Sequence, residues 1–278
     1  MKTINKIFSV ALSLFLVMVI FPQSLILGME CNGLSTQEVE KNSDVSIFNI
    51  DGEMPQVLGD NERLSKHVKR LYDSEDMYSI VFKNSDQTET KYVFNEPIKY
   101  VDDNGNVKDK STELSYTDGA YINKENDVKL VLPQNLLKGI SLKYEEFAIT
   151  MVPKQICKEI KDIEKIGTDT VLYKNAFSNG IDISYTSTFS GVKCNIILEK
   201  PIEKYDYEFI AYTDGYTITY SKEGKLVVLN NEDTEIAIFS DIIVYDNSGK
   251  QCIGKISVET IIDKKEYLIT ISVDNEFL

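Results

Sequence analysis

The chain contains no tryptophan and a single histidine, His67, among its 278 residues. Without an indole there is no tryptophan platform on which a sugar ring could stack. Any aromatic binding face would have to come from the 16 tyrosines. One histidine excludes a histidine-rich metal centre, and a hydrolase dyad would require His67 to reach a distant serine or cysteine. The sequence reads His67 as a solvated helix or linker residue. Cysteine is also scarce. Cys31, Cys157, Cys194 and Cys252 are widely spaced and include no CxxC pair, which excludes a local zinc knuckle. In an oxidising compartment they admit three pairings, although a chain of this length builds a core without staples. Cys194 falls inside an alternating strand pattern and reads as a small packing residue rather than a nucleophile.

Positive charge is in deficit: 30 Lys and Arg face 44 Asp and Glu, a formal net charge of −14. Such a surface repels phosphates and anionic lipid, so nucleic acid is excluded as a partner. Solubility outside the cell explains the excess, and a calcium-dependent surface remains the alternative because oxygen-rich loops suit hard cations. The one long apolar run is at the N-terminus. Lys2 and Lys6 precede an uncharged stretch over residues 7–21, and a short polar segment leads to Gly28. This is the outline of a secretory signal peptide over residues 1–28, and the run falls short of the roughly 20 residues of a comfortable bilayer span. An uncleaved anchor, and with it a membrane contact, is the alternative. Glu30 stands before Cys31 where acylation needs a small residue, which rejects a lipoprotein. Loss of the leader removes both of its lysines and makes the exported chain still more acidic.

Residues 29–77 read as a polar linker and entry segment. Within it Leu64, Val68 and Leu71 at helical spacing predict a short helix. Beyond it, short alternating runs punctuated by turn residues predict strands. Asn104-Gly105 closes a hairpin, and its DDNGNVKD context lacks the glycine and glutamate spacing of an EF-hand loop. Ile156, Ile160, Ile163 and Ile166, at three- and four-residue spacing, predict a second helix over the sheet. Residues 170–201 form the centre of the pattern. Ile181, Ile183 and Tyr185 alternate with Asp182, Ser184 and Thr186, and Ser190-Gly191 reverses the chain into a strand with Ile196 and Leu198 on one face. Residues 174–180 read as a turn before that strand. Asp214-Gly215 predicts a tight hairpin that puts Phe209, Ala211, Ile218 and Tyr220 on one buried face, with Glu208 and Thr219 in water. Short strands then continue as a meander to residue 273.

The run NAFSNGIDISY after Tyr173, followed by Gly191-Val192-Lys193 and an apolar strand, resembles the N-terminal module of secreted bacterial DNRLRE-domain proteins. Wall-associated YD (Rhs-type) repeat proteins carry a similar module. Residues 92–109, YVFNEPIKYVDDNGNVKD, resemble that family's hairpin E-P-V-H-Y-x-D-x-N-G-x-W-x-D-I, and residues 224–278 resemble its closing meander. The chain departs from the pattern at Cys194, where the family has glutamate, at Val107, where it has tryptophan, and at Lys110, where it has an apolar residue. The resemblance implies a noncatalytic module of a cell-wall-associated protein, with further domains after a junction like residues 274–278.

The combined reading is a mainly β protein, an antiparallel β-sandwich or extended two-sheet module with one or two short helices. The module covers residues 78–278, with two subdomains split near residues 153–169 as an option. Its expected role is to present or pack against other extracellular or cell-surface domains. A glycan- or protein-binding adhesion module is the alternative, and a hydrolase is a third reading. No residue is assigned a catalytic, cofactor-binding or metal-binding role.

Overall fold

The computed structural model describes residues 67–156, 160, 162–178, 180–199, 206–246 and 250–273, and the backbone of two short N-terminal strands. Those strands are β1 (Val10–Leu12) and β2 (Val19–Ile20). The chain divides into two units, Ser24–Asn95 and the combination of Met1–Gln23 with Glu96–Leu278.

In the smaller unit β3 (His67–Arg70), β4 (Ser79–Asn84) and β5 (Glu89–Val93) form an antiparallel sheet in sequence order. β3 is a strand where helical spacing predicts a helix, and among the described residues the helical turn nearest to it is a 3-10 segment at Tyr72–Ser74. Pairing decides the outcome, because Lys69 and Arg70 lie opposite Lys83 and Phe82 and satisfy their backbone groups across the ladder. The remainder of the predicted helix, residues 60–66, lies outside the described residues.

The larger unit opens with a ribbon of β6 (Lys99–Val101) and β7 (Val107–Asp109), closed around Asn104-Gly105 as the turn chemistry predicts. Next come β8 (Leu114–Thr117), β9 (Ala120–Asn123), β10 (Lys129–Pro133), β11 (Ile140–Tyr144) and β12 (Phe147–Pro153). They are followed by β13 (Ile163–Ile166), β14 (Thr170–Ser178), β15 (Ile181–Ser187) and β16 (Val192–Leu198). After β17 (Asp206–Thr213) the chain forms β18 (Thr217–Tyr220), β19 (Leu226–Leu229) and β20 (Glu235–Ile238). It ends with β21 (Ile243–Asp246), β22 (Gln251–Ile253), β23 (Lys255–Ile262) and β24 (Glu266–Ser272). An eight-stranded sheet runs β23-β24-β17-β12-β11-β10-β9-β8, a seven-stranded sheet β13-β14-β15-β16-β1-β21-β22, and a four-stranded sheet β18-β19-β20-β2. The sheets are antiparallel, none closes into a barrel, and the build is that of a β-sandwich-like module. Side chains from all three sheets meet in one core. Phe177 of β14 packs on Tyr207 and Phe209 of β17 with ring centroids 5.1 and 6.3 Å apart, and the Tyr173 hydroxyl donates to the Pro133 carbonyl at 2.8 Å.

Three further sequence expectations are corrected. The second predicted helix is replaced at Ile163–Ile166 by β13, where Ile163 pairs with Tyr173 and Ile166 with Thr170. Isoleucine is stiff at χ1 and fits a pleated surface, so its spacing yields to a strand partner only a short turn away. The turn expected over residues 174–180 is confined to its end at Gly180: β14 continues to Ser178, which pairs with Ile181, through a register shift with Asn175 at φ 51°. Side chains replace the ladder bonds lost there, since the Asn175 amide donates to Asp182 Oδ1 and the Gly180 amide to Asn175 Oδ1, both at 2.7 Å. Finally, β17 and β18 form no hairpin. β17 pairs with β12 and β24 on its two edges, while β18 pairs with β19 in another sheet. The Thr213 and Gly215 amides bond to the Lys265 and Lys264 carbonyls, so Asp214-Gly215 is a corner between sheets. Phe209, Ala211 and Ile218 are buried as expected, but Tyr220 is 47% exposed.

Candidate functional site

Among the described residues a buried polar cluster surrounds the turn from β15 to β16. The turn closes on itself through the Thr188 amide and the Gly191 carbonyl, 3.1 Å apart, and the Ser187 amide anchors it to the Asp169 carbonyl at 2.9 Å. Residues 96–128 supply the opposing groups. Lys110, 3% exposed, places its ammonium 2.5 Å from Asp127 Oδ1 and donates to the Phe189 carbonyl at 3.1 Å. Asn126, fully buried, donates to the Thr188 carbonyl at 3.3 Å and accepts from the Val128 amide. Ser190 donates through Oγ to the Glu96 carboxylate. The Ser187 and Thr188 hydroxyls are buried without a hydrogen-bond partner among the described residues. Chemically the cluster is a clamp. Ser190 meets a carboxylate rather than an imidazole, and the Lys110 ammonium is spent on Asp127 and a carbonyl. Lys110, which departs from the apolar residue of the DNRLRE-type pattern, was the sequence signal for this cluster. Its partners, Asp127 and the Phe189 carbonyl, 17 and 79 residues downstream, could not be named from spacing alone.

His67 is corrected from a solvated residue to a half-buried one. Its ring stacks on Phe82 at 4.7 Å between centroids, with an interplanar angle of 8°. Nδ1 lies 2.7 Å from Asn84 Oδ1 and Nε2 lies 2.8 Å from the Tyr92 hydroxyl. Asn84 Nδ2 donates to Thr88 and Thr90, which leaves its Oδ1 as the acceptor and assigns the His67 proton to Nδ1. The Tyr92 hydroxyl then donates to Nε2, and burial raises the pKa of that phenol. Both ring nitrogens are thereby committed to one strand-to-strand network.

The Asp102 carboxylate is likewise engaged within its own hairpin. Asp102 Oδ1 accepts from the amides of Asn104 and Asn106, while the Lys108 ammonium lies 2.8 Å from Oδ2. The ammonium and those two amides hold the Asp102 carboxyl far below the usual carboxylate range. Among the described residues no three His, Cys, Asp or Glu side chains converge as a metal site would require. Cys194 is buried opposite Tyr185, and burial raises its thiol well above the range in which a thiolate forms at neutral pH. Cys31 and Cys157 lie outside the described residues.

Exposed apolar side chains gather on terminal strands. Ile253 on β22 is 75% exposed, and Ile261 and Ile262 on β23 are 48% and 50% exposed. At the opposite end of the eight-stranded sheet Tyr116 of β8 is half exposed, edge-on to Tyr121 at 5.1 Å. Comparison of the chain with family models, with curated proteins and with solved structures finds no match.

Proposed function

We propose that this chain is a secreted, noncatalytic β module that packs against or presents other extracellular or cell-wall-associated domains. The observation that carries this reading is the exposure of Ile253, and of Ile261 and Ile262 at the far end of the next strand, on two consecutive strands. Each of those strands is the last in its sheet, β22 in the seven-stranded and β23 in the eight-stranded one. Single exposed apolar side chains are ordinary. Exposed aliphatics on strands with an open outer edge suit edges that another domain covers. The polar chemistry supports the same reading, since Lys110, Asp127, Glu96 and Ser190 are consumed in holding one turn. The leader-like N-terminus and the DNRLRE-type likeness of residues 92–109 and 170–201 agree with export and a wall-associated setting. A glycan-binding face is the second reading, favoured by the exposed Tyr116 beside Tyr121.

Intact-mass measurement on culture medium and on the cell-wall fraction tests the proposal. A chain starting after Gly28 is expected, and Ile253→Asp combined with Ile262→Asp should release wall-held protein into the medium while the far-UV spectrum stays unchanged. A cytosolic chain that keeps Met1, or wall retention indifferent to the double substitution, would overturn it. Retention lost only with Tyr116→Ala would put the glycan face in its place.

A further inference from the structure

The apolar run that reads as a secretory leader contributes a strand to the interior of a sheet. β1 lies between β16 and β21, antiparallel to both, with Val10 opposite Leu198 and Asp246, Ala11 opposite Ile197 and Tyr245, and Leu12 opposite Ile196. Farther along the same run β2 covers β20, with Val19 opposite Ile238 and Ile20 opposite Ala237. Because β16 and β21 are each antiparallel to β1, they run parallel to one another, two strand spacings or about 9.6 Å apart. An amide cannot reach a carbonyl over that distance, so the two strands cannot satisfy each other once β1 is gone. Both walls of the slot are anchored in the core. Ile196 and Leu198 on one side and Val244 on the other are all 0% exposed, and the Gly254 amide ties the Ile242 carbonyl at 2.8 Å.

We propose that the slot between β16 and β21, continued along the edge of β20, is an acceptor for an extended apolar strand of another extracellular chain, and that the leader fills it only until cleavage. The inference rests on the export reading above. The occupant is defined by what now sits there. It runs antiparallel to β16, presents aliphatic side chains at the two positions opposite Leu198 and Ile196, and has a backbone amide between them. A second copy of the chain is a poor occupant. The net charge of −14 sets copies against each other, and the aliphatics that the terminal strand β23 offers at two-residue spacing, Ile256 and Val258, pack against the core of their own chain. Strand addition of this kind draws affinity from main-chain hydrogen bonds and register from alternate side chains.

The test uses the leader-free chain recovered from culture medium and a peptide of residues 8–21 flanked by lysines for solubility. Without peptide, the amides of Ile196, Leu198 and Tyr245, which face β1, should exchange with deuterium far faster than those of residues 183–185, and the peptide should restore their protection. A peptide carrying Ala11→Pro, with aspartate in place of Val10 and Leu12, should bind at least about tenfold more weakly, because it loses a ladder donor and the apolar positions. Full protection in the leader-free chain without peptide would overturn the slot and leave the export reading standing. Equal binding of the proline peptide, or a self-associated dimer with both strips protected, would also overturn it. An exported chain that retains Met1 would make β1 a permanent strand and refute the slot, and a cytosolic chain with Met1 would remove the export reading as well.

Discussion

Truncation of Phe209 and of Tyr220 separates the structure from the tight hairpin that the sequence predicts around Asp214-Gly215, because that hairpin puts both rings on one buried face. In the structure Phe209 is 2% exposed and lies opposite Pro153 of β12 and Ile269 of β24, with the Phe177 ring 6.3 Å away. A buried phenylalanine removes roughly 150–250 Å² from water, or about 4–6 kcal/mol at 25 cal/mol per Å². Alanine keeps part of that contact but leaves a cavity, so Phe209→Ala should cost about 3–5 kcal/mol. Tyr220 is 47% exposed and its hydroxyl donates to the Ile256 carbonyl at 3.1 Å, in reach of water. Tyr220→Ala should therefore cost about 1 kcal/mol or less. Urea titration followed by far-UV circular dichroism reads both values. In thermal melts the first variant should fall by roughly 10 °C and the second by only about 2–3 °C, at about 2–4 °C per kcal/mol for a domain of this size. Equal and large losses would restore the hairpin with its shared face. Two equally mild losses would take Phe209 out of the core and refute the assignment of β17 to the interior of the eight-stranded sheet.

Lys110→Met keeps the aliphatic stem but leaves Asp127 and the Phe189 carbonyl without their ammonium; because the Asp127 side chain is 29% exposed, water recovers part of the loss and about 1–3 kcal/mol is expected. Adding Asp127→Asn should recover part of that cost in a double-mutant cycle, and strict additivity would argue against the pair. Alkaline pH should unfold the protein: burial pushes the Tyr144 phenol up to about 12 and raises Tyr173 and Tyr185 further still. Unfolded tyrosines ionise near about pH 10, so above that pH the unfolded state sheds protons that the folded state keeps, and stability falls by up to about 1.4 kcal/mol per pH unit for each of the buried Tyr173 and Tyr185. Phenolate absorbance should accordingly rise in two stages, the second coincident with loss of the far-UV signal, and a single smooth titration would contradict the burial of those rings. Gly139 adopts φ 79° and ψ 155°, and a Cβ there would fall 2.7 Å from Val152 Cγ2 and 2.9 Å from the Met151 carbonyl oxygen. Gly139→Ala should cost more than about 3 kcal/mol, against about 1 kcal/mol for Gly224→Ala, whose Cβ would meet open space; equal melting points would refute the crowding.

Much of this fold is legible in the chain because a strand with one buried face carries its own period. Ile181, Ile183 and Tyr185, and then Ile196 and Leu198, announce their buried positions, and all five are buried. Turn chemistry is equally local, so Asn104-Gly105 and Ser190-Gly191 mark real reversals. The hairpin of β8 and β9 escaped notice although Asp118-Gly119, at φ 51° and 79°, is the favoured two-residue turn. What the sequence determined by itself is thus the alternation, most reversals, the scarcity of metal-binding and stacking residues, and the leader-like start. Tertiary structure decided which edges meet. Isoleucines at helical spacing became β13 because β14 offered a ladder, β17 and β18 parted because β12 and β24 already occupied both edges of β17, and Lys110 found Asp127 across a turn. The physical reason is that period and turn preference are properties of neighbouring residues, whereas a backbone edge is satisfied by whichever strand lies beside it, and no local pattern of side chains names that strand.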